Sequence, residues 1–225
     1  MDILFVRQGE YNKGNAAFPL IAEAVKEFLL LNGNTEHDAA EGPYAEMTAD
    51  MIRRTPEKRP YLCISGGPDI SVTHSGDIWM CLVSAGRCGV DFQYLKEGNT
   101  LKIVNRYFTE GEREYIEGGG TGQFTGSFLR SEEGRAGRFF DIWVRRESLG
   151  KYEGHGLFGN YPDSAPGGIL ADEVYFVADH PGQSKRVFVH EITKSMLASA
   201  GIKTDTDYRA AVVTESEDAP VIRVI

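Results

Sequence analysis

Apolar positions along this chain keep two rhythms, the alternation of a strand and the three-to-four spacing of a helix, and the changes between them mark its elements. A run at residues 3–7 (Ile3, Leu4, Phe5, Val6) predicts a first strand. Residues 16–31 carry Phe18, Ile21, Ala22, Val25, Phe28 and Leu29 at helical spacing, and Asn32-Gly33-Asn34 supplies the stop. Residues 34–43 are polar and loop-like, and 44–54 predict a short helix. Three strand-like runs follow at 61–64, 70–74 and 78–84, separated by Gly66-Gly67-Pro68-Asp69 and by Ser75-Gly76-Asp77. The first half therefore reads β-α-β-β-β.

The second half opens on a strand-like run at 88–92. Residues 100–108 and 109–117 predict two helical stretches, with Thr109 as N-cap of the second. Residues 118–137 are glycine-rich and polar and read as a loop, and 138–153 read as a helix with Phe140, Trp143 and Val144 at core spacing. Strands are expected at 173–177, 185–190, 208–214 and 221–225. Both halves thus order a strand, helices and further strands alike, without a sequence repeat. The expectation is an α+β fold of two similar α/β subdomains related by a pseudo-twofold axis, residues 1–86 and 87–225, with a ligand between them.

At 225 residues the chain can bury a substantial core, and its 41% hydrophobic and 25% charged content is that of an ordinary globular protein. A net charge of −9 argues against a general nucleic-acid binder. It leaves room for one local cationic pocket, and Arg53, Arg54, Lys58 and Arg59 are close enough in sequence to line one. The three cysteines, Cys63, Cys81 and Cys88, are odd in number and lack CxxC spacing, which argues against a zinc site or a disulfide framework. Cys63 and Cys81 fall inside apolar runs and read as small core residues. The apolar run at the start is too short for a signal peptide and nothing reaches the length of a membrane span, so a reducing cytoplasm is expected.

Three stretches concentrate the candidate chemistry: Ser71-Val72-Thr73-His74-Ser75-Gly76-Asp77, Gly89-Val90-Asp91, and the run from Trp143 through Arg146 and Glu147 to Lys151. Asp91 ends a β-branched run, so its carboxylate can project into a cleft. Trp143, Glu147 and Lys151 are spaced by one helical turn and share a face. Taken alone, Glu147 and Lys151 read as a solvated ion pair and Asp91 as a turn former.

In order and separation, however, the three stretches resemble the motifs of the 4′-phosphopantetheinyl transferases, most closely the long single-chain type that activates polyketide and nonribosomal peptide synthetases. The resemblance covers residues from about Arg59 to Leu157. It implies transfer of the phosphopantetheine arm of coenzyme A to a serine of an acyl or peptidyl carrier protein, by a Mg²⁺-dependent monomer. That chemistry breaks a pyrophosphate bond and needs a divalent cation, a base for the hydroxyl and support for the leaving nucleotide.

The resemblance assigns the metal to Asp91 and Glu147, with Gln93 standing where many relatives carry a second acid. Gln93 supplies a neutral oxygen and no charge, which leaves the third-ligand role open. Glu147, directly or through a water, takes the serine proton, and Lys151 steadies the bridging oxygen as 3′,5′-ADP leaves. The element Arg59-Pro60, together with Thr73 and His74, is placed at the nucleotide end. Arg106, Tyr107, Phe108 and Thr109, with Glu110 or Glu112, resemble a further family stretch, while Arg53 and Arg54 read as an exposed helical face. Arg146 replaces the family's lysine beside the catalytic glutamate and keeps its charge.

Two other readings of these residues stay open. One is a non-catalytic descendant that binds coenzyme A or a carrier protein, and Gln93 keeps it alive. The other is a metal-dependent coenzyme A pyrophosphohydrolase with water as nucleophile. Competing motifs are absent from the sequence: there is no GxGxxG, GxSxG, HExxH or Walker A pattern.

Overall fold

The computed structural model describes residues 1–33, 47–96, 98, 100–117, 134–154, 173–177 and 184–225. The fold is α+β. Strand β1 (Ile3–Gln8) is followed by helix α1 (Phe18–Asn32), and then by β2 (Ile52–Arg54), β3 (Pro60–Leu62), β4 (Asp69–Ser75), β5 (Ile78–Ser84) and β6 (Gly89–Tyr94). Helices α2 (Leu101–Tyr107), α3 (Glu110–Ile116) and α4 (Arg135–Glu153) come next. The remaining elements are β7 (Glu173–Val177), β8 (Ser184–Glu191), α5 (Lys194–Ser199), β9 (Tyr208–Thr214) and β10 (Val221–Val224).

Two four-stranded sheets result, ordered β10-β1-β5-β4 and β6-β9-β8-β7, beside a β2-β3 hairpin. Strand alternation decides what each face buries. Ile3, Phe5, Trp79, Cys81 and Val83 of the first sheet pack on α1. Their neighbours Leu4, Val6, Met80 and Leu82 pack against Val90, Phe92, Ala210 and Val212 of the second sheet. The far face of that sheet, with Val187, Val189, Ala211 and Val213, meets α4 through Ile142, Leu149 and Tyr152. The layers thus run helix, sheet, sheet, helix. Every residue of β5 is buried, as a strand covered on both faces requires. Strand β10 pairs parallel with β1, so the chain's last strand completes the sheet of its first half.

The two sheets meet edge to edge at β4 and β6 through side chains. Ser71, Thr73 and Ser75 alternate onto one face of β4. Their hydroxyls accept hydrogen bonds from the backbone N–H groups of Val90, Phe92 and Tyr94 at 3.0, 3.2 and 3.2 Å. These hydroxyls stand where a neighbouring strand would otherwise satisfy the edge of β6. Two motif glycines have steric reasons here. A Cβ on Gly89 would lie 1.9 Å from the carbonyl oxygen of Ser148, because the backbone of α4 rests directly on β6. Gly76 turns at φ 57 with the Tyr94 ring 2.6 Å from where its Cβ would be.

Most elements fall where the alternation predicts them. Thr109 caps α3 with a full capping box, its hydroxyl on the Glu112 N–H and the Glu112 carboxylate on its own N–H. The helix expected at 44–54 is a correction. Residues 44–46 lie outside the described residues, and the rest form one 3-10 turn (Ala49–Met51) and then β2, which pairs with β3 from Ile52↔Leu62 to Arg54↔Pro60. Cys63 is exposed rather than buried, whereas Cys81 and Cys88 are buried as free thiols. Residues 118–133 of the expected loop lie outside the described residues, and α4 starts at Arg135, three residues early. Helix α5, capped by the Thr193 hydroxyl, was not expected. Among the described residues no helix is long and apolar enough to cross a membrane.

Candidate active site

A cavity of about 590 Å³ opens where the loop before α1, the β2-β3 hairpin, β4 and the end of α4 converge. Lys13, Arg54, Lys58, Arg59, His74 and Lys151 are among its lining residues. So dense a set of cations, in a chain of net charge −9, suits an anionic ligand. Arg54 corrects an expectation: on a strand rather than a helix it alternates away from exposed Arg53 and becomes part of the wall. Lys58 closes the hairpin in the left-handed region at φ 69, with its N–H on the Thr55 carbonyl at 2.9 Å. Lys13 carried no sequence signal, since a lone lysine in a Lys-Gly-Asn turn has no pattern to mark it.

Behind the wall that Lys151 lines, β6 and α4 bring their motif residues together. Asp91 faces the helix, as does Gly89 two residues earlier, and it is 7% exposed. Its Oδ1 accepts from Lys151 Nζ at 2.8 Å and from the Thr73 hydroxyl at 2.9 Å. Lys151 Nζ also donates to the Val90 carbonyl at 2.8 Å. The lysine's ion-pair partner is therefore Asp91 across the sheet–helix contact, and not Glu147 one turn away. The Thr73 hydroxyl is occupied with Asp91 and the Phe92 N–H, which turns it away from the cavity that His74 lines.

Glu147 is half-buried on the same helical face as Lys151. Burial raises its pKa, the Asp91 charge raises it further, and Lys151 opposes both. A second cavity of about 290 Å³ lies beyond, lined by Gln93, Ile103, Phe139, Phe140 and Trp143 among others. Trp143 precedes Glu147 by one turn, and Gln93 follows Asp91 on the same strand face, so the two carboxylates stand between the two cavities. The Gln93 amide donates to the Ser75 hydroxyl at 3.0 Å and to the Tyr94 carbonyl at 3.2 Å.

His74 stacks obliquely on Tyr11, with ring centroids 5.7 Å apart. Burial lowers its pKa, Lys13 and Lys151 lower it further, and Asp91 pulls the other way. Pro60 lines the cavity beside Arg59. The guanidinium of Arg59 is turned into the protein, onto Asp69 and the carbonyls of Cys88, Lys151 and Tyr152. Arg146 also points inward. It grips the Glu112 carboxylate with two bonds of 3.0 and 2.7 Å and lies over the Phe108 ring, so its charge is spent on joining α3 to α4.

Among the described residues no group of three or more His, Cys, Asp and Glu converges on one point. Mg²⁺ does not require one, because it takes one or two carboxylates and completes its shell with water and phosphate oxygens. The Asp91 charge raises the cost of ionising Glu147, and a divalent cation beside them relieves it. The donor set fits.

No curated protein matches the chain significantly. Residues 87–213 do match one protein family, over more than half of the chain and across Asp91, Glu147 and Lys151. The chain belongs to the 4′-phosphopantetheinyl transferase superfamily.

Proposed function

We propose that this protein moves the 4′-phosphopantetheine group of coenzyme A to a serine of an apo acyl or peptidyl carrier protein, with Mg²⁺. The observation that carries the reading is the meeting of Asp91 and Glu147 with Lys151, whose side chain joins them to the wall of a cation-lined cavity. Asp91 and Glu147, with the Gln93 oxygen near them, would hold the ion, which when bound neutralises pyrophosphate oxygens. Lys13, Arg54, Lys58 and His74 bind the nucleotide end of coenzyme A. Arg59 and Pro60 shape the same wall. The division at residues 1–86 and 87–225 belongs to this reading, and the lining of the larger cavity, drawn from both stretches, supports it.

In the reaction the serine oxygen forms a bond to the phosphorus that carries the pantetheine arm. Glu147 takes the serine proton, a role its raised pKa suits. The bond from that phosphorus to the bridging oxygen breaks, and 3′,5′-ADP leaves. Lys151 supports the charge that develops on that oxygen. The apolar cavity at Trp143 and Gln93 gives the carrier serine a route to the carboxylates that does not cross the nucleotide.

Intact mass spectrometry of a panel of apo-carriers, after incubation with coenzyme A and Mg²⁺, tests the proposal. The expected result is a gain of one phosphopantetheine on at least one carrier. Free phosphopantetheine without carrier gain would make the protein a hydrolase, and coenzyme A binding without either product would make it a binding protein.

A further inference from the structure

Asp69 lies outside every motif, yet it stands at a junction of four elements. It opens β4, and its Oδ2 accepts from Arg59 Nη2 and, at 2.9 Å, from the Cys88 N–H just before β6. Arg59 Nη2 donates also to the Cys88 carbonyl at 3.0 Å. Its Nη1 donates to the carbonyl of Lys151 and, at 3.4 Å, to that of Tyr152. Those carbonyls belong to the last turn of α4, which ends at Glu153 with Gly154 left-handed at φ 86. The last carbonyls of a helix have no partner within it, and a guanidinium there satisfies them and complements the helix dipole. Exposures of 17% and 26% for the Arg59 and Asp69 side chains leave the pair partly shielded from water.

We propose that Asp69 and Arg59 form a clamp that positions Lys151, and through it Asp91, for transfer. Arg59 then acts by holding the helix and not by binding phosphate. The inference rests on the reading of the site as a phosphopantetheinyl transfer centre.

The clamp holds Lys151 at its carbonyl, while Val90 and Asp91 hold it at Nζ. Through Cys88 the same clamp holds the start of β6, the strand that carries Asp91. It therefore sets the spacing of strand and helix where their reactive side chains meet, at the point where Gly89 already permits backbone contact. A shift of about 1 Å in such groups costs on the order of a hundredfold in rate. Only the planar fork of an arginine reaches a carboxylate and several carbonyls at once, which a lysine's point charge does not.

Steady-state kinetics on folded Asp69→Asn, Arg59→Lys and the double variant, with coenzyme A and with dephospho-coenzyme A, test this. Asp69→Asn and Arg59→Lys should each lower kcat about tenfold or more and change KM for coenzyme A less than about twofold. Discrimination between the two substrates should stay at the wild-type level. The double variant should lose little more than either single one, because the two residues act as a unit. Asp69→Glu, which keeps the charge, should recover part of kcat.

A phosphate-binding Arg59 gives the opposite pattern. Arg59→Lys would then keep kcat, Arg59→Ala would raise KM and lose discrimination, and Asp69→Asn would free the arginine and lower KM. That pattern overturns the clamp, as do additive losses or an unchanged kcat in Asp69→Asn. A wild type inert on every carrier overturns the reading of the site, and the clamp with it; an active wild type beside an unaffected Asp69→Asn overturns the clamp alone.

Discussion

Glu147 holds its charge against two pressures, burial first and the Asp91 carboxylate second. Its folded-state pKa lies above that of an unfolded glutamate. Between the two values the folded chain binds more protons, so stability falls as pH rises through that window and stays lower above it. Glu147→Gln should therefore make the ligand-free protein more heat-stable than wild type at neutral pH. The difference should vanish below the ordinary glutamate range, while transfer is lost. Thermal unfolding of both proteins at several pH values decides this, and an advantage over wild type no larger at pH 7 than at pH 4 would remove the charge argument. Lys151 supplies the complementary case, because its ammonium stands on the carboxylate assigned to the metal. Lys151→Met should tighten Mg²⁺ binding by the ligand-free protein in calorimetry, and lower turnover by about 10²-fold or more. Methionine keeps the packing of the lysine stem, so misfolding should not mimic the result.

At the scale of elements, the hydroxyl seam between β4 and β6 places Asp91. Thr73 serves both sides of it, accepting from Phe92 and donating to Asp91. Thr73→Val keeps the shape but leaves a buried N–H without its acceptor, at a cost of about 1–3 kcal/mol. Urea unfolding should register that loss, and kcat should fall as Asp91 loses a donor. Thr73→Ser should retain both properties. A valine variant with wild-type stability would mean that water replaces the hydroxyl at the seam.

At the scale of the molecule, the two sheets share one core. The parallel pairing of β10 with β1, from Ile3↔Val221 to Val6↔Val224, ties the last strand to the first. Residues 1–86 and 87–225 expressed as separate chains should each expose the apolar face that joins the sheets. Each alone is expected to be insoluble or to unfold without cooperativity, and the two expressed together should copurify as one folded unit. Two fragments that unfold cooperatively by themselves would show that each half carries its own sufficient core.

By itself the sequence determined whatever depends on neighbours along the chain. Alternation marked the strands and put the Ser71, Thr73 and Ser75 hydroxyls on one face, helical spacing aligned Trp143, Glu147 and Lys151, and Thr109 announced the start of a capped helix. The order of three short motifs was enough to point to the family. Tertiary structure alone decided the partners. Residues 49–54 became a turn and a strand because β3 pairs with them, which no local pattern encodes. Lys151 chose Asp91 over Glu147, Arg146 turned to Glu112, and Arg59 to Asp69 and the end of α4. In each case a long charged side chain can reach several groups, and the one it meets is set by which elements pack together.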